Sequence, residues 1–472
     1  MITLAEIITA LTQRRPEIPI VPITEASIDS RAINKDGMFV AIPGENADGH
    51  NFVAQAFQRG ASVALIEHDV DGNFNKLDLR SGDVDLSRVT IATPIALLVP
   101  NSVIALQQIA RRWRRQHNPR VIGITGSVGK STTKEMIAQV LSQRYKTLRN
   151  LGNLNNEIGL PMTLINLNAD HECAVLEMGF YVPGEIALLC DIAQPQVGVI
   201  TNIGTVHAER SGSQEVIAQG KAELVQALPK DGVAILNYDD ARVRGMADKT
   251  QARVLFYGLD DRAELRADLI AGLGLDGIKF RVCYQRDVID LHLPLIGTHS
   301  VYTALRAIAV GLIEGLTWDE IENGLTQKQN PLRMKTARFK SGALIIDDTY
   351  NSAPESAVAA LNLLGDLNGR KIAVLGDMLE LGQYEAQGHE TVGARAAQVA
   401  DALITFGTRA HMIASAARKN GMNTLAIVEY EDVNEVIDWL KKNLSEKDNV
   451  LIKGSRGLRM DRIIAVLETA GE

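Results

Sequence analysis

Short apolar runs, each closed by a glycine or a polar residue and followed by a stretch with helical spacing, recur along most of this chain. Parallel strands covered by helices on both faces read as continuous apolar runs, so the alternation predicts α/β layers with mostly parallel sheets. In the middle of the chain the runs are 121–125, 174–177, 197–201 and 233–236. A second series, after Asn330, is 343–346, 372–375, 402–405, 424–428 and 450–452. Ahead of both lies a block reaching about Ala96, with runs at 38–42, 61–66 and 89–92 and loops rich in Gly, Asp and Asn. An amphipathic helix is predicted over 1–15, and another over 102–116 leads into the run at 121. The length of 472 residues suits three domains, expected at 1–97, 98–328 and 329–472.

In open parallel sheets, ligands gather at the carboxyl ends of the strands. Here the central runs end in a glycine turn, then in Glu177, then in Asn202 with His207 beyond, then in Asn237 and Asp239-Asp240. The later series ends in Asp347-Asp348-Thr-Tyr350-Asn351, in Gly376-Asp377-Met-Leu-Glu380 and in Lys453-Gly-Ser455-Arg456. Both blocks thus present polar groups at one sheet edge.

The glycine turn, Gly123-Ile-Thr-Gly-Ser-Val-Gly-Lys-Ser-Thr-Thr133, reads as strand, P-loop and helix. Gly126, Ser127, Val128, Gly129 and Thr132 would wrap an anion with backbone amides at the positive end of the helix. Lys130 adds a charge, and the Ser131 hydroxyl is placed to ligate magnesium. Ile124 stands where the strict pattern has its first glycine.

Glu177 is costly to bury without a partner, and magnesium is the natural one; a helix-terminal or ion-pairing glutamate is the alternative. His207 reads either as a second metal ligand or as a hydrogen-bonding loop residue. Lys221, taken alone, reads as a solvated surface lysine. Asp29-Ser30-Arg31 and Asp48-Gly49-His50 could hold a diphosphate or carboxylate, or could equally make turns and caps.

Composition narrows the partners. A formal charge of −8 argues against general nucleic-acid binding, and the arginines at 111, 112, 114 and 115 read as a solvated helix face. Cys173, Cys190 and Cys283 are widely spaced, which suits a reducing cytosol and gives no disulfide or zinc framework. No signal peptide and no run long enough to cross a bilayer are read, so the expectation is a cytoplasmic protein.

With these residues in hand, the chain resembles the Mur ligases nearly end to end. The resemblance is carried by Asp29-Ser-Arg31, Phe39-Val-Ala-Ile-Pro-Gly44 and Asp48-Gly-His50, then by Thr125-Gly-Ser-Val-Gly-Lys-Ser131, Asn155-Asn-Glu-Ile-Gly-Leu-Pro161 and Glu177-Met-Gly179. It continues through 202–207, Lys221, Asn237-Tyr-Asp-Asp240, Asp347-Asp-Thr-Tyr-Asn351, Gly376-Asp-Met-Leu-Glu-Leu-Gly382 and Lys453-Gly-Ser-Arg456. The Thr-Gly-x-x-Gly-Lys-Ser form of the P-loop is the one this family uses. Departures stand at Gly297-Thr-His299-Ser300, where the family usually has His-Asn, at Leu332-Arg333 in place of Gly-Arg, and at Tyr350-Asn-Ser-Ala-Pro354.

The resemblance implies three α/β domains: a small N-terminal domain for a UDP-muramoyl peptide, a central P-loop domain with a parallel sheet for ATP, and a Rossmann-like C-terminal domain. It implies ATP-dependent ligation of D-alanyl-D-alanine to UDP-N-acetylmuramoyl-tripeptide through an acyl phosphate. Lys130, Lys221 and His207 would be catalytic, and Lys221 would be carbamylated. Ser131, Glu177 and His207 would ligate Mg2+; Asn237, Arg333, Asp348 and Tyr350 would join the P-loop in holding ATP. Ser30, Arg31, Asp48, His50, Asn155, Lys453 and Arg456 would hold the other substrates. The expected state is a monomer. The alternatives are a related ligase that adds a single amino acid, a folate polyglutamate-type ligase, or a P-loop ATPase switch.

Overall fold

The computed structural model describes residues 1–44, 47–81, 86, 91–206, 208–327 and 335–469, without the side chains of 468 and 469. The chain folds as three α/β domains around three main sheets. The first sheet is parallel and five-stranded, in the order Ala26–Ser27, Met38–Val40, Val63–Ile66, Ile95–Leu98, Asn75–Asp78. The strand Ile95–Leu98 replaces the one expected at 89–92, where residues 89 and 90 lie outside the described set and 91–92 are not strand. The limit drawn at 97 falls inside that strand; the limit at 328 lies outside the described residues. The N-terminal helix is shorter than its pattern. Ile2–Thr3 pairs with Pro22–Ile23, and Thr3 and Glu6 form a capping box that starts the helix Leu4–Thr12.

The central sheet is nine-stranded, with the P-loop strand Arg120–Thr125 between Cys173–Glu177 and Val197–Ile200. The chain leaves Arg120–Thr125 for the edge strand Thr147–Arg149, returns to Cys173–Glu177, and then crosses to Val197–Ile200 on the other side. This change of direction opens a crevice at the carboxyl ends. Val233–Asn237, Arg253–Gly258 and Leu265–Gly272 extend the parallel part. An antiparallel hairpin, Ile278–Tyr284 with Asp287–Leu293, closes the far edge. The apolar-run reading passed over this hairpin because it is half-exposed: Ile278, Phe280 and Val282 are buried while Lys279 and Arg281 are not, a period of two.

The C-terminal sheet runs Lys335–Arg338, Leu344–Asp348, Asp448–Lys453, Arg370–Gly376, Ala402–Phe406, Ile427–Tyr430, with only the first strand antiparallel. The strand expected at 424–428 starts late. Asn423 accepts the Leu425 amide and turns Thr424–Ala426 into a 3₁₀ segment before Ile427–Tyr430 begins.

Alternating residues of the P-loop strand feed two cores. Val121 packs with the helix Ser102–Arg115 and the first sheet, while Ile122 and Ile124 pack under the helices Lys130–Leu141, Val301–Ile313 and Trp318–Thr326. The N-terminal domain is thereby continuous in apolar contact with the back of the central sheet. Ile308 is fully buried between helix and sheet in the second core. Truncating it as Ile308→Ala is expected to destabilise the transition that unfolds the central domain by about 2–5 kcal/mol, read by chemical denaturation.

Candidate active site

A cleft of about 960 Å³ separates the carboxyl edge of the central sheet from that of the C-terminal sheet. Ser127, Val128, Gly129 and Thr132 line it on one side with Asn202, Asn237 and Asp239; Asp348, Tyr350 and Lys453 line the other. Two strand-end constellations read separately in the sequence therefore face one space.

The P-loop is held open by side chains from the neighbouring strand end. Asn202 accepts the Val128 amide through Oδ1 at 2.9 Å and the Ser127 amide through its carbonyl at 2.9 Å. Thr201 donates its hydroxyl to the Val128 carbonyl at 2.8 Å, and the Gly204 amide donates to Ser127 Oγ at 2.8 Å. Gly126 has φ +143°, and a Cβ placed on it would lie 1.8 Å from Thr201 Oγ1. Only glycine meets both demands. Gly129 (φ +83°) is the N-cap of the helix Lys130–Leu141 and, as a glycine, brings no side-chain cap to it.

Two lysines converge on one carbonyl. Lys130 Nζ donates to the Gly126 oxygen at 2.8 Å and to Ser127 O at 3.2 Å; Lys221 Nζ donates to the same Gly126 oxygen at 3.1 Å. Lys221, on the helix Gln214–Gln226, is only 1 % exposed and lies over the Phe180 ring, 4.7 Å from its centroid. The solvated lysine read from the sequence is corrected: its neighbour Gly220 admits the Phe180 ring within 2.0 Å of a Cβ position, so the helix packs tightly there. Burial, and then the nearby charge of Lys130, hold the Lys221 ammonium well below its ordinary 10.5.

Glu177 ends the strand beside the P-loop, 2 % exposed. Asn150 brackets its backbone, accepting its amide at 2.9 Å and donating to its carbonyl at 3.0 Å. Asn155 Nδ2 donates to Glu177 Oε1 at 2.8 Å, so Asn155, expected to hold substrate, orients this carboxylate in the structure. The other oxygen, Oε2, is buried with no hydrogen-bond partner among the described residues. A carboxylate that buries one oxygen unpaired suits a hard cation, and Ser131 stands in the first turn of the adjacent P-loop helix. His207 and Arg333 lie outside the described residues.

On the far wall, Lys453 Nζ donates to Asp348 Oδ2 at 2.5 Å and to the Asn351 carbonyl at 2.9 Å. Arg456 is exposed and places its guanidinium 5.6 Å from the Tyr350 ring centroid. Asn237 donates to Thr201 O at 3.3 Å, and Tyr302 donates to Asp239 Oδ2 at 2.8 Å.

The N-terminal candidates stand apart from the cleft lining. Arg31 makes a bidentate pair with Asp29 and is exposed; Ser30 is buried and donates to Gln55 Oε1 at 2.7 Å. His50 is committed to the fold. Its Nε2 accepts the Glu67 amide at 2.8 Å, so Nδ1 carries the proton shared with Asp48 Oδ1 at 2.6 Å. The His50 amide and ring hold the Asp48 carboxyl down at about 2.

Several lining residues were missed, Arg306 among them. Arg306, on the helix Val301–Ile313, donates Nη1 to Thr133 Oγ1 at 2.6 Å, and a Cβ on Gly129 would lie 3.4 Å from that same nitrogen. Its signal was present as His299, Thr303 and Arg306 at helical spacing i, i+4, i+7, all lining the cleft.

Comparisons with known proteins agree along the chain. The model of the Mur ligase family catalytic domain matches residues 22–114, that of the Mur ligase middle domain 124–311, and that of the Mur ligase glutamate ligase domain 332–456. A UDP-N-acetylmuramoyl-tripeptide–D-alanyl-D-alanine ligase of Synechocystis is 35 % identical, covering 94 % of this chain and 92 % of the relative. One from Bacillus subtilis is 33 % identical over 96 % and 95 %. Among solved structures, a MurF from Acinetobacter baumannii superposes with a TM-score of 0.83 at 30 % identity, covering 98 % of each chain. A MurF ligase from Thermotoga maritima in complex with ADP gives 0.79 at 27 % identity, again covering 98 % of each.

Two outcomes are expected from this geometry. Gly126→Ala should abolish nucleotide binding, since its methyl would collide with Thr201; ADP titration by calorimetry checks it. For Lys221, the folded state binds fewer protons than the unfolded chain between the lowered pKa and 10.5, so the stability carried by this position rises with pH across that window. In carbon-dioxide-free buffer, the stability of Lys221→Met relative to the parent should therefore be greatest at low pH and shrink as pH rises towards 10.5. A pH-independent difference in thermal unfolding would contradict the burial of an ionisable amine.

Proposed function

The chain belongs to the Mur ligase family, and on that premise we propose that it joins D-alanyl-D-alanine to UDP-N-acetylmuramoyl-tripeptide at the expense of ATP. The observation that carries this reading is the shared cleft. A P-loop on one sheet edge faces Asp348, Tyr350 and Lys453 on another, so the nucleotide and a third domain meet over the same volume. The identity and coverage of the named relatives do not favour a ligase that adds a single amino acid, a folate polyglutamate-type ligase or an ATPase switch.

A free carboxylate resists amine attack because its oxygens are poor leaving groups. Transfer of the γ-phosphoryl of ATP to the terminal carboxylate of the tripeptide gives an acyl phosphate and ADP. The dipeptide amine then attacks the acyl carbon, and phosphate leaves the tetrahedral intermediate as the amide forms. Two anions approach in the first step, so cationic groups must stand between them. Lys130 and the P-loop amides would hold the β- and γ-phosphates. Asn237, Asp348 and Tyr350 would contact the nucleoside, and Lys453 and Arg456 would meet substrate carboxylates or phosphates.

The residues present fit magnesium. Ser131 and Glu177 would hold it, through the hydroxyl and the unpaired Oε2, and His207 is the candidate for a second ion. When bound, the metal supplies charge neutralisation on the phosphate oxygens. A neutral amine is what carbamylation requires, and the lowered pKa of Lys221 supports that modification. Ser30, Arg31, Asp48 and His50 would border the UDP end; His50 would act through Asp48, since both of its ring nitrogens are engaged. We place the reaction in the cytoplasm, on a monomer divided near 97 and 328. No helix among the described residues is long and apolar enough to cross a membrane.

Phosphate release tests the reading. It should require ATP, the muramoyl tripeptide and D-alanyl-D-alanine together; release unaffected by either acceptor would favour a switch. Lys221→Arg retains a cation but cannot form a carbamate, so turnover should collapse while calorimetric ADP affinity stays within about threefold of the parent. Normal turnover in that variant would reject the carbamate.

A further inference from the structure

Arg306 is 6 % exposed, and its Nε is buried with no hydrogen-bond partner among the described residues. Among the described residues no carboxylate pairs with it. Its guanidinium donates to the Thr133 hydroxyl, and the Tyr257 ring lies 5.7 Å from its Cζ. Burial lowers its affinity for a proton. It also stands beside Gly129 and Thr133, the first turn of the P-loop helix, where the helix dipole is positive and repels a cation. A buried charge without a counter-charge is strongly destabilising, and a neutral donor could support Thr133 equally well. The charge at this position calls for an anion.

The cleft that Arg306 lines also contains the P-loop. We infer that Arg306 is a nucleotide-binding residue of this chain, turning its guanidinium onto the diphosphate of the bound nucleotide beside Gly129 and Thr132. This rests on the reading of the cleft as the ATP site. Guanidinium is suited to the task, because its planar donors meet phosphate oxygens in pairs and it stays charged when buried. The neighbouring Ser300 does not compete for the role, since its hydroxyl donates to its own loop at Ile296 O, 2.7 Å away.

The test uses the full chain and ADP. Arg306→Met removes the charge, and Arg306→Gln keeps a donor for Thr133 without it. Both should weaken ADP binding by about ten- to a hundredfold in calorimetry, the range of a charge-assisted hydrogen bond. The melting temperature without nucleotide should hold or rise in Arg306→Met, while the ADP-induced shift shrinks in both variants. The inference is overturned if ADP affinity stays within twofold of the parent. It is equally overturned if Arg306→Gln restores parental affinity, because Arg306 would then act only by supporting Thr133. A parent that fails to bind ADP would bring down the ATP-site reading itself, a result separable from either of these.

Discussion

The active cleft depends on ionisable groups that the protein buries, Lys221, Glu177 and Arg306. Lys221 and the half-buried Lys130 crowd one backbone carbonyl, Gly126 O, while Arg306 sits at the positive end of the P-loop helix with no carboxylate paired to it among the described residues. One strand away, Glu177 buries an oxygen that no group among the described residues satisfies. Each arrangement is costly in isolation. Together they describe a site preorganised for a polyphosphate and a hard cation, with the apolar cores below holding the groups in place.

Those cores explain why the site stays rigid. The P-loop strand lies between two neighbours in a parallel sheet buried on both faces, so its end cannot relax to relieve the charges. Thr201 and Asn202 then fix the loop from the adjacent strand end. The C-terminal domain is tied to this edge by a few polar contacts: Glu209 donates its amide to Glu380 O at 3.2 Å, Gln383 donates to Gly212 O at 3.0 Å, and the Gln214 amide meets Tyr384 Oη at 3.3 Å. Gly382, at φ +53°, brings its backbone against Glu209, where a Cβ would lie 2.9 Å away. Apolar contact crosses the same boundary, with Tyr384 packed against the core behind the central sheet and Ile296 against a C-terminal core.

Much of this was legible in the sequence because buried parallel strands write themselves as apolar runs. The P-loop, Glu177, Asn237 and Asp348 were found as the polar residues that end those runs. What failed to show were features set by long-range packing. Lys221 looks like any helical lysine until Phe180 and Gly126 close over it. Asp48 and His50 carry chemistry-bearing side chains, yet the Glu67 amide, brought in by another strand, fixes the ring of His50. The hydrogen bond from Asn155, read as a substrate residue, to Glu177 shows only once the fold brings the two together. Arg306 was overlooked because the search followed the polar ends of apolar runs, whereas Arg306 lies inside the helix Val301–Ile313, where its spacing with His299 and Thr303 went unused. The half-exposed hairpin at 278–293 was missed for a simpler reason: it alternates, and the search followed continuous runs.

The positive charge that Arg306 brings to the P-loop is held for phosphate. Isothermal titration of adenosine, AMP and ADP at fixed magnesium and ionic strength tests it most directly. Affinity should climb steeply from adenosine to ADP, and the ADP constant should weaken as salt is raised. Equal affinities for AMP and ADP, insensitive to salt, would contradict the claim.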